Sequence, residues 1–228
     1  MVKILEISEK RDLKKFIDMQ WSIYKGDENW VPPLKGQMLK TLLGKDNALL
    51  SNGPHTFFLA FEGNRVVGRV LAGINTRLNS VKNKNEGYIS LFESIDDEKA
   101  AFALLDKAVE WLEKRGVDSV VGPVSPSNGD DSRGILVQGF DGSPVLMNSY
   151  NPPYYERLFE VYGFIKDMDL YAYYLNAEEL DDSRSGRVTE YAMKKFNFRI
   201  SLTERILKGK LKISKQFLIW LCLHHGGI

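Results

Sequence analysis

The chain is 228 residues long, 43% apolar and 27% charged, with a formal net charge of +1. These totals match an ordinary globular protein with a real core, in one large domain or one domain plus part of another. They exclude a chain-wide field for a polyanionic partner, and the single cysteine, Cys222, excludes an internal disulfide and a cysteine-based zinc site.

The charge is unevenly spread. From Arg184 onward there are ten Lys/Arg against two Asp/Glu, a local +8 that leaves −7 for residues 1–183. A basic arm of this kind can meet nucleic acid or an acidic membrane surface, but solvated helix faces produce the same run more often. The amino terminus alternates charged and apolar residues and lacks the long apolar core of a signal peptide. The longest apolar run, Phe217 to Leu223, is far short of the roughly 20 residues a spanning helix needs. A cytoplasmic protein without a membrane partner is expected.

In chain order, Val2 to Ile7 reads as a strand and Asp12 to Ile23 as a helix, with Leu13, Phe16, Ile17, Met19, Gln20-Trp21 and Tyr24 at helical spacing. Trp30-Val31-Pro32-Pro33 breaks the chain, and a second helix runs from Leu34 to Leu43. Thr56–Phe61 and Val66–Ile74 flank Gly63-Asn64, a hairpin signal. Asn75 to Asn85 reads as polar loop and Glu86 to Glu93 as strand. A helix from Asp97 to Arg115 follows, with acids at its start, Leu104, Leu105, Ala108, Trp111 and Leu112 as its buried stripe, and Gly116 as its stop. Ser119–Val124 is a strand, Ser132–Gln138 a short helix, Pro153–Val161 a helix ended by Gly163, and Phe164–Lys166 with Asp169–Leu175 supply one or two strands. Beyond a charged linker, Val188–Phe196 looks helical, Phe198–Leu202 looks like a strand, and the remainder is basic and irregular.

The densest stretch is 120–175. It combines Gly122-Pro123, the polar Ser125–Gly134 segment, Gly139-Phe140-Asp141-Gly142, Tyr150-Asn151-Pro152-Pro153-Tyr154-Tyr155 and Gly163-Phe164. Loops rich in Gly, Asn and aromatic residues between strands are where binding chemistry usually sits. Within it Asn128, Asp130, Asp131 and Arg133 are candidates for an acceptor pocket favouring a cationic amine, with turn formation as the competing role. His55, His224 and His225 do not form a metal-site pattern, and no metal is expected. No hydrolase elbow, Walker loop or dinucleotide fingerprint is present.

The order of elements, with Asn151 to Gly163-Phe164, resembles the GNAT acyltransferase superfamily: an α+β fold with a mixed, mostly antiparallel sheet between helices. Gly122-Pro123, Ser125–Gly134, Gly139-Phe140-Asp141, Tyr150–Tyr155 and Asp169-Leu170-Tyr171-Ala172-Tyr173 resemble more narrowly an uncharacterised bacterial GNAT-like group built as a tandem pair. The resemblance implies a unit at 1–176, with 177–228 as linker and the cut-short opening of a second unit. The tail Ile219–Ile228 does not resemble that group and is compatible with a frameshifted or prematurely ended reading frame.

The resemblance also implies an activity: transfer of an acyl group, acetyl above all, from an acyl-CoA co-substrate to a small-molecule or protein amine, with a homodimer allowed. Strands Tyr88–Ser94 and Ser119–Val124 would part near Phe92 and Val121, so that the main chain of Leu91, Phe92 and Ser94 binds the pantetheine arm. Glu93 would be the base, and Tyr154 or Tyr155 the acid, because Phe159 stands at the superfamily's tyrosine position. Lys99 and Asn151 would help to hold the donor, with Asn151 equally suited to capping a helix. The chain departs from the superfamily at Ile95–Ala101, where a Gly-rich pyrophosphate loop is replaced by three acids that only Lys99 could offset. An alternative is therefore a catalytically lapsed GNAT-like module that binds a small ligand or a protein, with nucleic-acid binding through the basic arm ranked behind both.

Overall fold

A computed structural model of the chain describes residues 1–44, 47, 50–125 and 133–172, with the backbone of 217–224. The chain divides into a unit of Met1–Tyr171 with Phe217–Ile228, and a unit of Ala172–Gln216. All of the second unit but Ala172 lies outside the described residues, as do the helix expected at Val188–Phe196 and the strand expected at Phe198–Leu202.

Strands β1 (Val2–Ile7), β2 (His55–Glu62), β3 (Arg65–Gly73) and β4 (Glu86–Ser94) form an antiparallel run, and β5 (Ser119–Val124) joins β4 in parallel. Beyond β5 come β8 (Phe217–His224) and β6 (Ile135–Gln138), and β7 (Phe164–Ala172) also pairs with β8. Helices α1 (Lys10–Ile23) and α2 (Lys35–Leu42) cover one face; α4 (Glu98–Glu113) and α5 (Tyr155–Tyr162) cover the other.

The central strands read as nearly continuous apolar runs because both faces are covered. Phe57, Leu59, Leu71 and Tyr88 pack with Leu13, Phe16 and Ile17 of α1, whereas Phe58, Ala60, Val70, Ala72 and Ile89 pack with Leu104, Leu105, Ala108 and Leu112 of α4. Asp97 accepts the Ala100 amide at the start of α4, and Gly163, at φ +110°, ends α5.

Three local readings change. Residues 75–85 hold a short helix, α3 (Thr76–Lys82), capped by Asn75, whose side chain accepts the Leu78 amide; none of its residues is buried, so it leaves no apolar period to read. Residues 135–138 form strand β6 rather than part of a helix, because the Asn151 side chain meets both the amide and the carbonyl of Leu136 while β8 pairs alongside. The basic tail contains strand β8, registered between β5 and β6.

Candidate active site

The site begins with an irregularity in β4. Arg69 pairs with Glu93 while Leu71 pairs with Ser90, so β4 carries one residue more than β3 over this interval. Leu91, at φ +50°, sits in that bulge in the left-handed region that side chains other than glycine rarely adopt. The extra residue shifts the alternation: Tyr88 and Leu91 both face α1, and Phe92 faces α4. Glu93 is thereby turned to the α1 side, where an unbroken strand would have placed it in the apolar core against α4.

The same place is where β4 leaves β5. Their ladder runs from Glu86↔Ser119 to Ser90↔Val124, and β4 continues to Ser94 with no strand registered against that edge among the described residues. The parting thus starts past Val124, not at Val121 as expected, since Val121 is still paired with Tyr88. Gly122 allows the close approach before it, because a Cβ there would lie 2.7 Å from the carbonyl oxygen of Ile89.

Glu93 is 5% exposed and surrounded by donors. Its Oε1 accepts Gln20 Nε2 at 2.8 Å and Arg69 Nη2 at 3.5 Å; its Oε2 accepts Tyr155 Oη at 2.6 Å and Tyr24 Oη at 3.1 Å. Arg69 is fully buried, donates to the Phe16 carbonyl at 2.7 Å, and lies over the Phe16 ring. Burial pulls the Arg69 guanidinium below its ordinary value, and the Glu93 carboxylate opposes that pull. Burial, and then the Glu93 charge, push the Tyr24 and Tyr155 phenols well above theirs. Both tyrosines are therefore protonated donors at neutral pH.

A cavity of about 270 Å³ opens onto this cluster. Glu93, Tyr24, Tyr155 and Gln20 supply its polar end; Trp30, Val31, Met38, Leu91, Phe92 and Ile135 are among its apolar walls. Trp30 stacks on Tyr24 at 4.8 Å between centroids, and the Tyr24 ring also meets Tyr150 at 5.9 Å.

The expected site residues fall into three groups. Glu93, Tyr155, Leu91, Phe92 and Asn151 come together in the cavity. Ser94 and Tyr154 lie beside it: Ser94 donates its amide to Tyr155 Oη at 2.9 Å and accepts Tyr154 Oη on its carbonyl at 2.7 Å, so both main-chain groups already have partners. Asn151 is buried in the cavity wall and its amide is taken up by Leu136 and the Pro152 carbonyl; it does not cap α5, whose first turn has no side-chain cap. Arg133 is half-buried and does not line the cavity, although Gly134 does. Asn128, Asp130 and Asp131 lie outside the described residues.

Lys99 is exposed, and the acids beside it are offset elsewhere. Arg157 of α5 bridges Asp96 and Glu98, while Asp97 caps α4. That corrects the expectation that only Lys99 could compensate them. Phe159 is a core residue, packed on Phe92 and Phe164. Among the described residues, no group of three or more His, Cys, Asp or Glu side chains is placed to hold a metal, and no helix is long and apolar enough to cross a membrane.

Gln20, Tyr24, Trp30 and Arg69 are not among the site residues expected from the sequence. Arg69 carried a readable signal, since a charged residue in the middle of the apolar run Val66–Ile74 must find a buried partner. Gln20 and Tyr24 lie on the α1 stripe and its cap, where spacing does not separate core from cavity wall, and Trp30 lies in the proline-rich break that follows.

No family model matches the chain. It is 31% identical to Protein YghO of Escherichia coli (strain K12) over 177 residues, covering 75% of this chain and 43% of that protein. It is 30% identical to the bacterial ceramide synthase of Caulobacter vibrioides over 182 residues, covering 79% of this chain and 47% of that protein. The chain thus spans less than half the length of both relatives. Among solved structures it aligns with a tandem GNAT protein from the clavulanic acid biosynthesis pathway (TM-score 0.53, 11% identity, 79% of this chain and 50% of that one). It also aligns with a probable acetyltransferase from Staphylococcus epidermidis (TM-score 0.52, 10% identity, 98% of each chain). The chain has the GNAT acyltransferase fold.

Proposed function

We propose that this chain is the acyl-transferring unit of an acyl-CoA-dependent N-acyltransferase whose acceptor is an amine with a substantial apolar part. The observation that carries the reading is the position of Glu93: a buried carboxylate at the head of a cavity, on the strand edge that β5 leaves uncovered. An extended thioester arm would lie along that edge by adding to the strand. A neutral amine in the cavity would attack the thioester carbonyl, and Glu93 would take the proton that the nitrogen sheds. Tyr155 would supply the proton for the departing thiolate. The aromatic and aliphatic walls suit an apolar acceptor. A relative named a bacterial ceramide synthase supports the same class, since a ceramide is an amide of a long-chain amine. Its greater length, and the half-coverage of a tandem GNAT protein, suit a chain that forms one of two units.

One set of observations favours a second reading, a module that binds the amine but transfers nothing. Asp96 and Glu98 stand where a diphosphate would meet the start of α4, and Ser94 already has tyrosine partners on its main chain. Titration of acetyl-CoA and of a long-chain acyl-CoA, followed by thiol release with an alkylamine series, separates the two. Micromolar donor binding with amine-dependent thiol release is expected, and Glu93→Gln should abolish release while donor binding stays. Amine binding without donor binding would select the second reading, and unchanged turnover in Glu93→Gln would remove Glu93 as base.

A further inference from the structure

All four hydrogen-bond positions on the Glu93 carboxylate are in use. Gln20 and Arg69 hold Oε1; Tyr24 and Tyr155 share Oε2. An amine in the cavity therefore meets the hydroxyls around Glu93 before it meets the carboxylate. The two hydroxyls differ in what else they bind. Tyr155 Oη accepts the Ser94 amide as well as donating to Oε2. The single proton of Tyr24 Oη lies between Oε2 at 3.1 Å and the Tyr150 carbonyl at 3.2 Å. No donor reaches Tyr24 Oη among the described residues, so its lone pairs remain to accept from a ligand. Its ring is held by stacking on Trp30, with both residues in the cavity wall.

Resting on the transferase reading, we infer that Tyr24 is a catalytic residue, and that Tyr24, Glu93 Oε2 and Tyr155 form one relay carrying the acceptor's proton to the leaving sulfur. The balance closes without any other reactant. The amine nitrogen forms its bond to the acyl carbon and gives a proton to Tyr24 Oη as Tyr24 passes its own to Oε2. The tetrahedral adduct then breaks its C–S bond; Tyr155 gives its proton to the thiolate and recovers one from Oε2. One proton leaves nitrogen and one arrives at sulfur, so Glu93 ends each turnover as it began. Because burial and the neighbouring carboxylate hold both phenols far from ionisation, they conduct the proton in concert rather than as phenolates. The proton that reaches the sulfur is then replaced on Tyr155 by the one the amine has just passed to Glu93 Oε2.

The test is steady-state thiol release with acyl-CoA and octylamine, using wild type, Tyr24→Phe, Tyr155→Phe and the double variant. Tyr162→Phe serves as a control, since its hydroxyl meets Asp106 outside the cavity. Tyr24→Phe keeps the ring on Trp30 and should lose roughly 10²–10⁴-fold in kcat with KM for the donor unchanged. Members of one relay fail together, so the double variant should be no slower than the slower single variant. A bowed proton inventory in mixed H₂O and D₂O, with more than one proton in flight, is expected of wild type, and this reading needs no variant to fold. A Tyr24→Phe enzyme at wild-type rate, multiplicative losses in the double variant, or a linear inventory would overturn the relay and leave the transferase intact. Wild type silent toward every amine offered would sink the transferase reading, and the relay with it.

Discussion

Two groups of carboxylates lie within six residues of each other on the same β4–α4 segment, and their surroundings make them different objects. Glu93 is 5% exposed and is met by an arginine, an amide and two phenols drawn from β3, α1, the turn after it and α5. Asp96 and Glu98 are exposed and share one arginine, Arg157, across the surface. The buried carboxylate needs every partner, because a charge in a low-dielectric interior is costly unless paired and hydrogen-bonded. The surface pair is screened by water and salt, and its partner contributes little. Chemistry can be built on the first because its donors are held in place before substrate arrives. The second can act only through its field, which disfavours a phosphate at the start of α4.

Substitutions at the two places should separate them. Arg69→Met leaves Glu93 buried without its cation, and thermal or urea unfolding should show a loss of about 3–5 kcal/mol. A loss under about 1 kcal/mol would mean that Glu93 is not held by this pair. Tyr155→Phe removes the acceptor of the Ser94 amide as well as a donor to Glu93, and should cost about 1–3 kcal/mol in the same assay.

Alkaline pH gives the next effect. Tyr24 and Tyr155 hold their protons in the folded chain well above the value near 10 at which unfolded phenols ionise. Above that value the unfolded chain binds fewer protons than the folded one. Their contribution is therefore complete below about pH 10 and is lost as pH rises toward the folded values. Urea midpoints followed from pH 8 to pH 11 should fall more steeply in wild type than in the Tyr24→Phe/Tyr155→Phe variant, and parallel curves would contradict this. At the surface, Arg157→Ala should shift stability by at most about 1 kcal/mol, with the difference shrinking in high salt. A larger, salt-independent loss would place Arg157 in the core network instead.

Much of the chain could be read locally. The α4 stripe, its acidic start and Gly116, the Gly63-Asn64 hairpin and the Gly163 stop follow from spacing and backbone chemistry that act within a few residues, and all stand in the structure. Element order was enough to suggest the fold. Glu93 and Tyr155 were also accessible from sequence, as positions on a recognised arrangement of elements. Tyr24 and Gln20 were not, because residues on a helix stripe look alike whether they face a core or a cavity.

The decisive step belongs to tertiary structure. A strand read from sequence alternates without interruption, and in that reading Glu93 would point into the apolar layer under α4. One extra residue in β4 against β3, absorbed at Leu91, turns the carboxylate to the opposite face, where Arg69, Gln20, Tyr24 and Tyr155 converge on it. Local preference does not announce such a bulge, since a leucine at positive φ is disfavoured on its own and is held there by its packing and by the β3 ladder at Ser90 and Glu93.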